Sequence, residues 1–206
     1  SYIDQVEVLK QHSNFVASHF FPALVGEPGI RGGFRMPNVN ELKHIPPDSY
    51  GIGILSRHPI VAVETLQLSG SRFSLPMPFS IDGRTRWRAI PDEPRIVAKV
   101  TLDSPLGLVD IITTHLSFIP SRAITQLMAL KRFSGKNPTI VAGDLNLTPA
   151  LTRRMTQFHS AVSALTYPKP KPRTQLDHIL LSRQLKSIDS GTLELSASDH
   201  LALYAE

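Results

Sequence analysis

Four stretches of this chain bring residues that titrate, coordinate or donate to the end or start of an apolar run. "DIITTHLS" runs into His115, "TIVAGDLN" into Asp144 and Asn146, "TQLDHILLS" begins on Asp177, and "ASDHLALYAE" begins on Asp199 and His200. A buried carboxylate costs several kcal/mol unless a cation or strong donors accompany it, so three Asp at strand ends predict a metal ion or charged partners. Positions i and i+2 of an extended segment face the same way, which predicts that Asp144 and Asn146 project together at one target. Taken singly, each feature has an ordinary explanation: "GDLN" as a turn, His115 as a structural residue, "SDH" as a local side-chain-to-backbone cap. Their combination along one chain is what calls for a shared reason.

The elements that must position these residues can be read from periodicity. Residues 3–20 place Ile3, Val6, Leu9, Val16 and Phe20 at roughly helical spacing, which predicts an opening amphipathic helix. Strands are predicted at 51–55, 59–68, 95–102, 106–116, 139–145, 176–182 and 201–206, where β-branched residues cluster. Helices are expected at 121–133 and from about 149 to 158, where Pro149 suits a first helical turn. Strands outnumber helices, so a mixed sheet system with a few covering helices is expected, not a strict βαβ repeat.

The chain has 206 residues, 41% of them hydrophobic, enough for one sizeable core and an expected single domain over 1–206. The absence of Cys excludes disulfides and thiolate metal sites. No run approaches a membrane-spanning length, and the N-terminus lacks the order of a signal peptide, so a monomer in the cytoplasm is expected. A formal net charge of +5 favours polyanionic partners. Two stretches read as surface loops, 71–95 and 168–173, hold 8 of the 22 basic residues: Arg72, Arg84, Arg86, Arg88, Arg95, Lys169, Lys171 and Arg173. The first interleaves them with Phe73, Phe79 and Trp87, a combination suited to phosphate contact and base stacking. Solvated loops that only keep the protein soluble are the alternative.

The ordered series Y-G-I-G-I-L-S-R-H-P-I, T-H-L, G-D-L-N-x-x-P, L-D-H-I and S-D-H, from about residue 50 to the C-terminus, resembles the endonuclease/exonuclease/phosphatase superfamily. The resemblance implies a four-layered α/β sandwich, two packed mixed sheets with helices outside. It also implies hydrolysis of a phosphate ester by activated water with Mg²⁺ or Mn²⁺. By motif, Asp144 resembles the residue that orients or deprotonates the water, and Asn146 a donor to the phosphate or the nucleophile. His200 resembles the histidine that hydrogen-bonds the phosphate oxygen, Asp177 its carboxylate partner, and Asp199 a metal ligand. His115 resembles a second catalytic histidine, and Tyr50 falls near a position that supports it. Arg88, Arg95 and Lys171 are the candidate substrate contacts. His58 and His178 read as structural. In-line phosphoryl displacement needs a positioned water, cations or donors on the nonbridging oxygens and help for the leaving oxygen, and hard oxygen ligands suit Mg²⁺ or Mn²⁺.

The series also departs from the family pattern. A strand ending in Asn and another ending in Gln-Glu, whose Glu binds metal, have no counterpart here; Glu7 and Asn14 fall in or at the end of the opening helix. The expectation is that roughly 30 to 45 residues precede Ser1, enough for two strands at ~3.3 Å per residue and their connections, the alternative being a divergent member that never had them. Such a chain should bind metal weakly. The substrate is expected to be a phosphodiester of nucleic-acid or phospholipid type, or a phosphomonoester. The alternative is a non-catalytic relative that binds nucleic acid or anionic headgroups through its basic loops.

Overall fold

The computed structural model describes residues 4–28, 33–71, 74–81 and 84–206. In chain order the elements are α1 (Gln5–Gln11), β1 (Ala17–Val25), β2 (Ser49–Ser56), β3 (Ile60–Leu68), β4 (Ser74–Ile81), β5 (Arg84–Pro91), β6 (Arg95–Ser104), β7 (Gly107–Thr114), α2 (Pro120–Phe133), β8 (Thr139–Asp144), α3 (Pro149–Thr156), β9 (His159–Ser160), β10 (Asp177–Leu181), β11 (Ser190–Leu193) and β12 (Ala202–Ala205). Every strand and both later helices expected from periodicity are present within a few residues of their predicted bounds.

The central sheet has six strands in the order β3-β6-β7-β8-β10-β9. All neighbours are antiparallel except β7 and β8, which are parallel and joined through α2. Alternation along β6 shows why the sheet is buried on both faces. Val97 packs with Leu127 and Leu130 of α2, Val141 and Leu180, while Ile96, Ala98 and Val100 pack with Phe21 and Ala23 of β1 and Ile52 and Ile54 of β2. Helix α1 lies beyond the β1–β2 pair, with Val6 seated over Gly53. The order of layers is therefore helices, six-stranded sheet, two-stranded sheet, helix: the four-layered sandwich that the resemblance implied.

Three expectations need correction. The opening helix does not run over 3–20. Asp4 caps it, its Oδ1 accepting from Val6 N and Glu7 N at 3.0 and 3.1 Å, and it ends at Gln11. The rest of that stretch enters β1, which pairs with β2 over eight residues and buries Phe21 to Val25; the helical spacing of Val16 and Phe20 was outweighed by this tertiary pairing. Residues 71–95 are not an irregular loop either. Most of them form the β4–β5 hairpin, in register from Ser74↔Pro91 to Ile81↔Arg84. It pairs with no other described strand, which is why Pro76 and Pro78 are tolerated in it. Finally, "SGTL" forms β11 beside β12, a strand that periodicity did not mark.

Gly143 shows how tightly β7 and β8 are joined at one end. Its φ is +152°, and a Cβ there would sit 2.0 Å from the Thr114 carbonyl oxygen. Gly143→Ala is expected to cost at least about 2 kcal/mol, since backbone on β7 must retreat. Urea unfolding with a loss below about 0.5 kcal/mol would show that the contact is soft.

Candidate active site

The site lies where β7 and β8 end and β10 begins. Because β7 and β8 are parallel, with Thr113 opposite Ala142, their C-terminal ends fall together, and the chain leaves β7 as His115 beside Asp144. A hydrogen bond from Leu116 N to Asp144 O, 2.9 Å, continues the pairing past the strand end. Strand β10 runs the other way and puts Asp177 directly opposite Asp144. Like charges in that arrangement are unfavourable, so the pairing is held by its neighbours, not by the two carboxylates.

His200 arrives from the loop before β12. Its Nδ1 meets Asp177 Oδ2 at 2.7 Å, and its ring packs at 4.7 Å between centroids on Tyr167. That loop is fixed by Leu201 N donating to Thr166 O and Lys169 N donating to Asp199 O, at 2.9 and 2.7 Å. Thr166, fully buried, also accepts at Oγ1 from Leu176 N at 3.2 Å, so one residue ties the His200 loop to the start of β10. His115 Nε2 is 3.4 Å from Asp144 Oδ2.

These contacts set the protonation states. Burial pushes the Asp144 carboxyl up, and Asp177 adds to this; the Asn146 N–H and the charges of His200 and Arg95 oppose it, leaving a pKa of about 6. Burial pulls His200 down, but the Asp177 hydrogen bond and the charges of Asp177, Asp144 and Asp199 outweigh it, so its pKa is raised and the imidazolium is favoured. His115 is lowered by partial burial, then by the charges of Arg95 and His200, and is neutral at pH 7. The result is a base that ionises near neutrality, a neutral imidazole and a carboxylate-held imidazolium, side by side.

The other expected residues fall out differently. Asn146 does not share a strand face with Asp144, because β8 stops at Asp144 and Asn146 turns to φ +50°. Its N–H donates to Asp144 Oδ1 at 2.9 Å and its Nδ2 to Leu116 O at 3.0 Å, so its side chain clasps the segment after His115. Asp199 is exposed and reaches His200 through its charge. Tyr50 is 47% exposed on β2, opposite Leu24, and makes no hydrogen bond to His115. Arg95 is 7% exposed, lies 3.6 Å from Glu93 and acts by charge on both His115 and Asp144. Lys171 is exposed on the turn whose Lys169 holds the His200 loop. The backbone of Arg88 belongs to β5, but its side chain lies outside the described residues, as do Arg72 and Phe73 altogether. His178 is buried, with Nε2 2.8 Å from Leu147 O, and His58 N donates to Ser56 Oγ. Tyr167 was not singled out from sequence; a lone Tyr before a proline-rich stretch carries no signal until the fold seats it on His200.

Ligating atoms of Asp144, Asp177 and His200 all lie within 4.8 Å of one another, and these residues form a group able to hold a metal ion. The chemistry fits a hard divalent cation: two carboxylates face each other, and one is pushed toward neutrality by burial and by the other's charge.

Fold and site together define a sandwich-type α/β protein with an acidic, histidine-bearing centre at its strand ends. Residues 7–200 match the Endonuclease/Exonuclease/phosphatase family, and the chain belongs to that family. Its members include phosphatases, nucleases and sphingomyelinases, which are typically hydrolytic phosphoesterases. No curated protein matches the chain by sequence. Among solved structures, a functionally unknown conserved protein from Enterococcus faecalis aligns with TM-score 0.64 at 15% identity, covering 98% of this chain and 80% of that one. A mannosyl-6-phosphatase from Bacteroides thetaiotaomicron aligns with TM-score 0.57 at 14% identity, covering 100% and 81%. The human nocturnin catalytic domain aligns with TM-score 0.51 at 19% identity, covering 99% and 76%. Among the described residues, no helix is long and apolar enough to cross a membrane.

The raised carboxyl makes a stability prediction. A carboxyl with a higher pKa folded than unfolded binds more protons in the folded state between about pH 4 and 6, so its stability contribution falls as pH rises through that window. Above pH 6 the metal-free folded protein carries the whole penalty. Asp144→Asn in chelator should therefore be about 1–3 kcal/mol more stable than the parent at pH 7, with the gain vanishing below pH 4. Denaturant titrations at the two pH values check this.

Proposed function

We propose that this chain is a divalent-metal-dependent phosphoesterase that hydrolyses a phosphodiester, or a phosphomonoester, by attack of an activated water. The observation that carries this reading is the juxtaposition of Asp144 with the Asp177–His200 pair within 4.8 Å. Asp144 takes the proton of the attacking water. His200, held cationic by Asp177, donates to a nonbridging phosphate oxygen as charge builds there. Neutral His115, 41% exposed beside Asp144, is placed to contact the phosphate or the departing oxygen. Arg95 lends positive potential to the same centre. Mg²⁺ or Mn²⁺ held by Asp144 and Asp177, with Asp199 at the rim, would supply Lewis-acid stabilisation of the phosphate oxygens.

Exposed residues of the β4–β5 hairpin and of the 168–173 turn favour a polyanionic substrate. Trp87 is 68% exposed beside exposed Arg86, and Lys171 and Arg173 are exposed near the His200 loop. Those same features support a second reading, a non-catalytic member that binds nucleic acid or anionic headgroups.

Hydrolysis of bis(p-nitrophenyl) phosphate in Mg²⁺ or Mn²⁺, abolished by chelator and restored by metal, is the expected result. Asp144→Ala and His200→Ala should each lower kcat by about 10²- to 10⁴-fold. An unchanged rate for Asp144→Ala would refute the assignment. No turnover on any phosphate ester, together with binding to oligonucleotides that weakens steeply with salt, would select the second reading.

A further inference from the structure

Asp92, the residue that follows β5, is a buried carboxylate with no part in the site described above. Its side chain is 0% exposed. One oxygen, Oδ2, accepts from Ser71 N at 3.0 Å, closing the base of the β4–β5 hairpin, and lies 3.0 Å from Arg122 Nε on α2. The other, Oδ1, accepts from Ser117 Oγ at 2.5 Å. Ser117 is itself fully buried; its N–H donates to Gln126 Oε1 at 2.8 Å, and its Oγ accepts from Ile119 N at 3.1 Å. Arg122 is anchored in turn by donating from Nη2 to Ser69 O. Three elements thus converge on one carboxylate: the hairpin base, α2 and the segment that leaves β7.

Ser117 is two residues from His115. Among the described residues, the ion-pair partner of His115 is Asp144, at 3.4 Å, and the His115 side chain is 41% exposed, so its aim depends strongly on the backbone that carries it. Its position is inherited from the backbone of 115–117. That segment is gripped on one side by Asp144 O and Asn146 Nδ2 through Leu116, and on the other by Asp92 and Gln126 through Ser117. Stability alone does not call for such a device. A buried ion pair is often no better than apolar residues of the same size, whereas its directional bonds select one geometry.

We propose that Asp92 is a positioning residue. It holds the His115–Leu116–Ser117 segment at the depth where His115 meets Asp144, and it couples that segment to the hairpin that carries exposed Trp87. The hairpin's placement relative to the catalytic centre is therefore set by the same carboxylate that sets His115. This rests on the phosphoesterase reading for its kinetic consequence, though not for its structural one.

The test compares Asp92→Asn, which keeps an acceptor for Ser117 but removes the charge facing Arg122, with Ser117→Ala, which removes only the hydroxyl. The substrate is bis(p-nitrophenyl) phosphate, a small ester that makes no use of a distant hairpin. Each variant should lower kcat about 10- to 100-fold, the scale of a misplacement near 1 Å, with KM within about 3-fold. The double variant should lose less than the product of the two single losses, because both loosen the same 115–117 segment. Amide exchange at Leu116 and Ser117 should quicken at least about tenfold while β8 stays protected. A folded Ser117→Ala protein with parental kcat, or losses in the double variant that multiply, would overturn the proposal. If the parent protein hydrolyses nothing, the phosphoesterase reading fails separately and exchange decides: unchanged protection at Leu116 and Ser117 would sink the positioning role. If Asp92→Asn does not fold, Ser117→Ala alone decides on both readouts.

Discussion

Two carboxylates stand opposite each other across an antiparallel strand pair, Asp144 on β8 and Asp177 on β10, and the remaining chemistry is organised around that unfavourable arrangement. Left alone they repel, and burial adds to the cost. The fold answers with His200 on Asp177, with the Asn146 N–H on Asp144, and with the positive potential of Arg95. What remains uncompensated is visible as the raised pKa of Asp144. That residual marks a place a cation would stabilise, since two carboxylates face one point with more negative charge than the protein groups around them offset.

Such a pair can be maintained only on rigid elements. Both strands are flanked by buried residues, Val141 and Leu145 on one and His178 and Leu180 on the other, and the sheet is covered on both faces. Gly143 permits β8 to approach the Thr114 carbonyl so closely that the segment after β7 can bond to Asp144 O. The pieces that approach from loops are each tied twice: His200 through Thr166 and Lys169, and the segment after His115 through Asn146 and the Asp92–Ser117 contact. Cost is concentrated at the strand ends and offset by packing beneath them.

Much of this was legible in the chain. Apolar runs ending in Asp or His marked the site strands, and Pro149 marked the start of α3, because those signals are local and depend on side-chain period and fixed φ. The residues brought together, Asp144, Asp177, His115 and His200, were those whose polarity conflicts with their apolar approach. The opening stretch misled, since Val16 and Phe20 fit a helical stripe while their true partner is the β2 strand more than 30 residues away. The 71–95 stretch misled in the other direction, since its prolines argued against strands but are tolerated in a hairpin that pairs with no other described strand. Asn146 was expected to project with Asp144 from one strand end, because nothing local announces the left-handed turn that removes it from that face.

By itself, then, the sequence determined which polar side chains end the apolar runs, the order of most strands, and the absence of any thiol, because residue type and period are properties of the chain. Only the tertiary structure decided how those residues meet. Register across β8 and β10 placed two carboxylates face to face, burial raised one pKa and lowered the His115 pKa, and a distant Asp92 came to rest on Ser117. Those outcomes depend on distance and dielectric environment, which arise only when segments far apart in the chain are packed against one another.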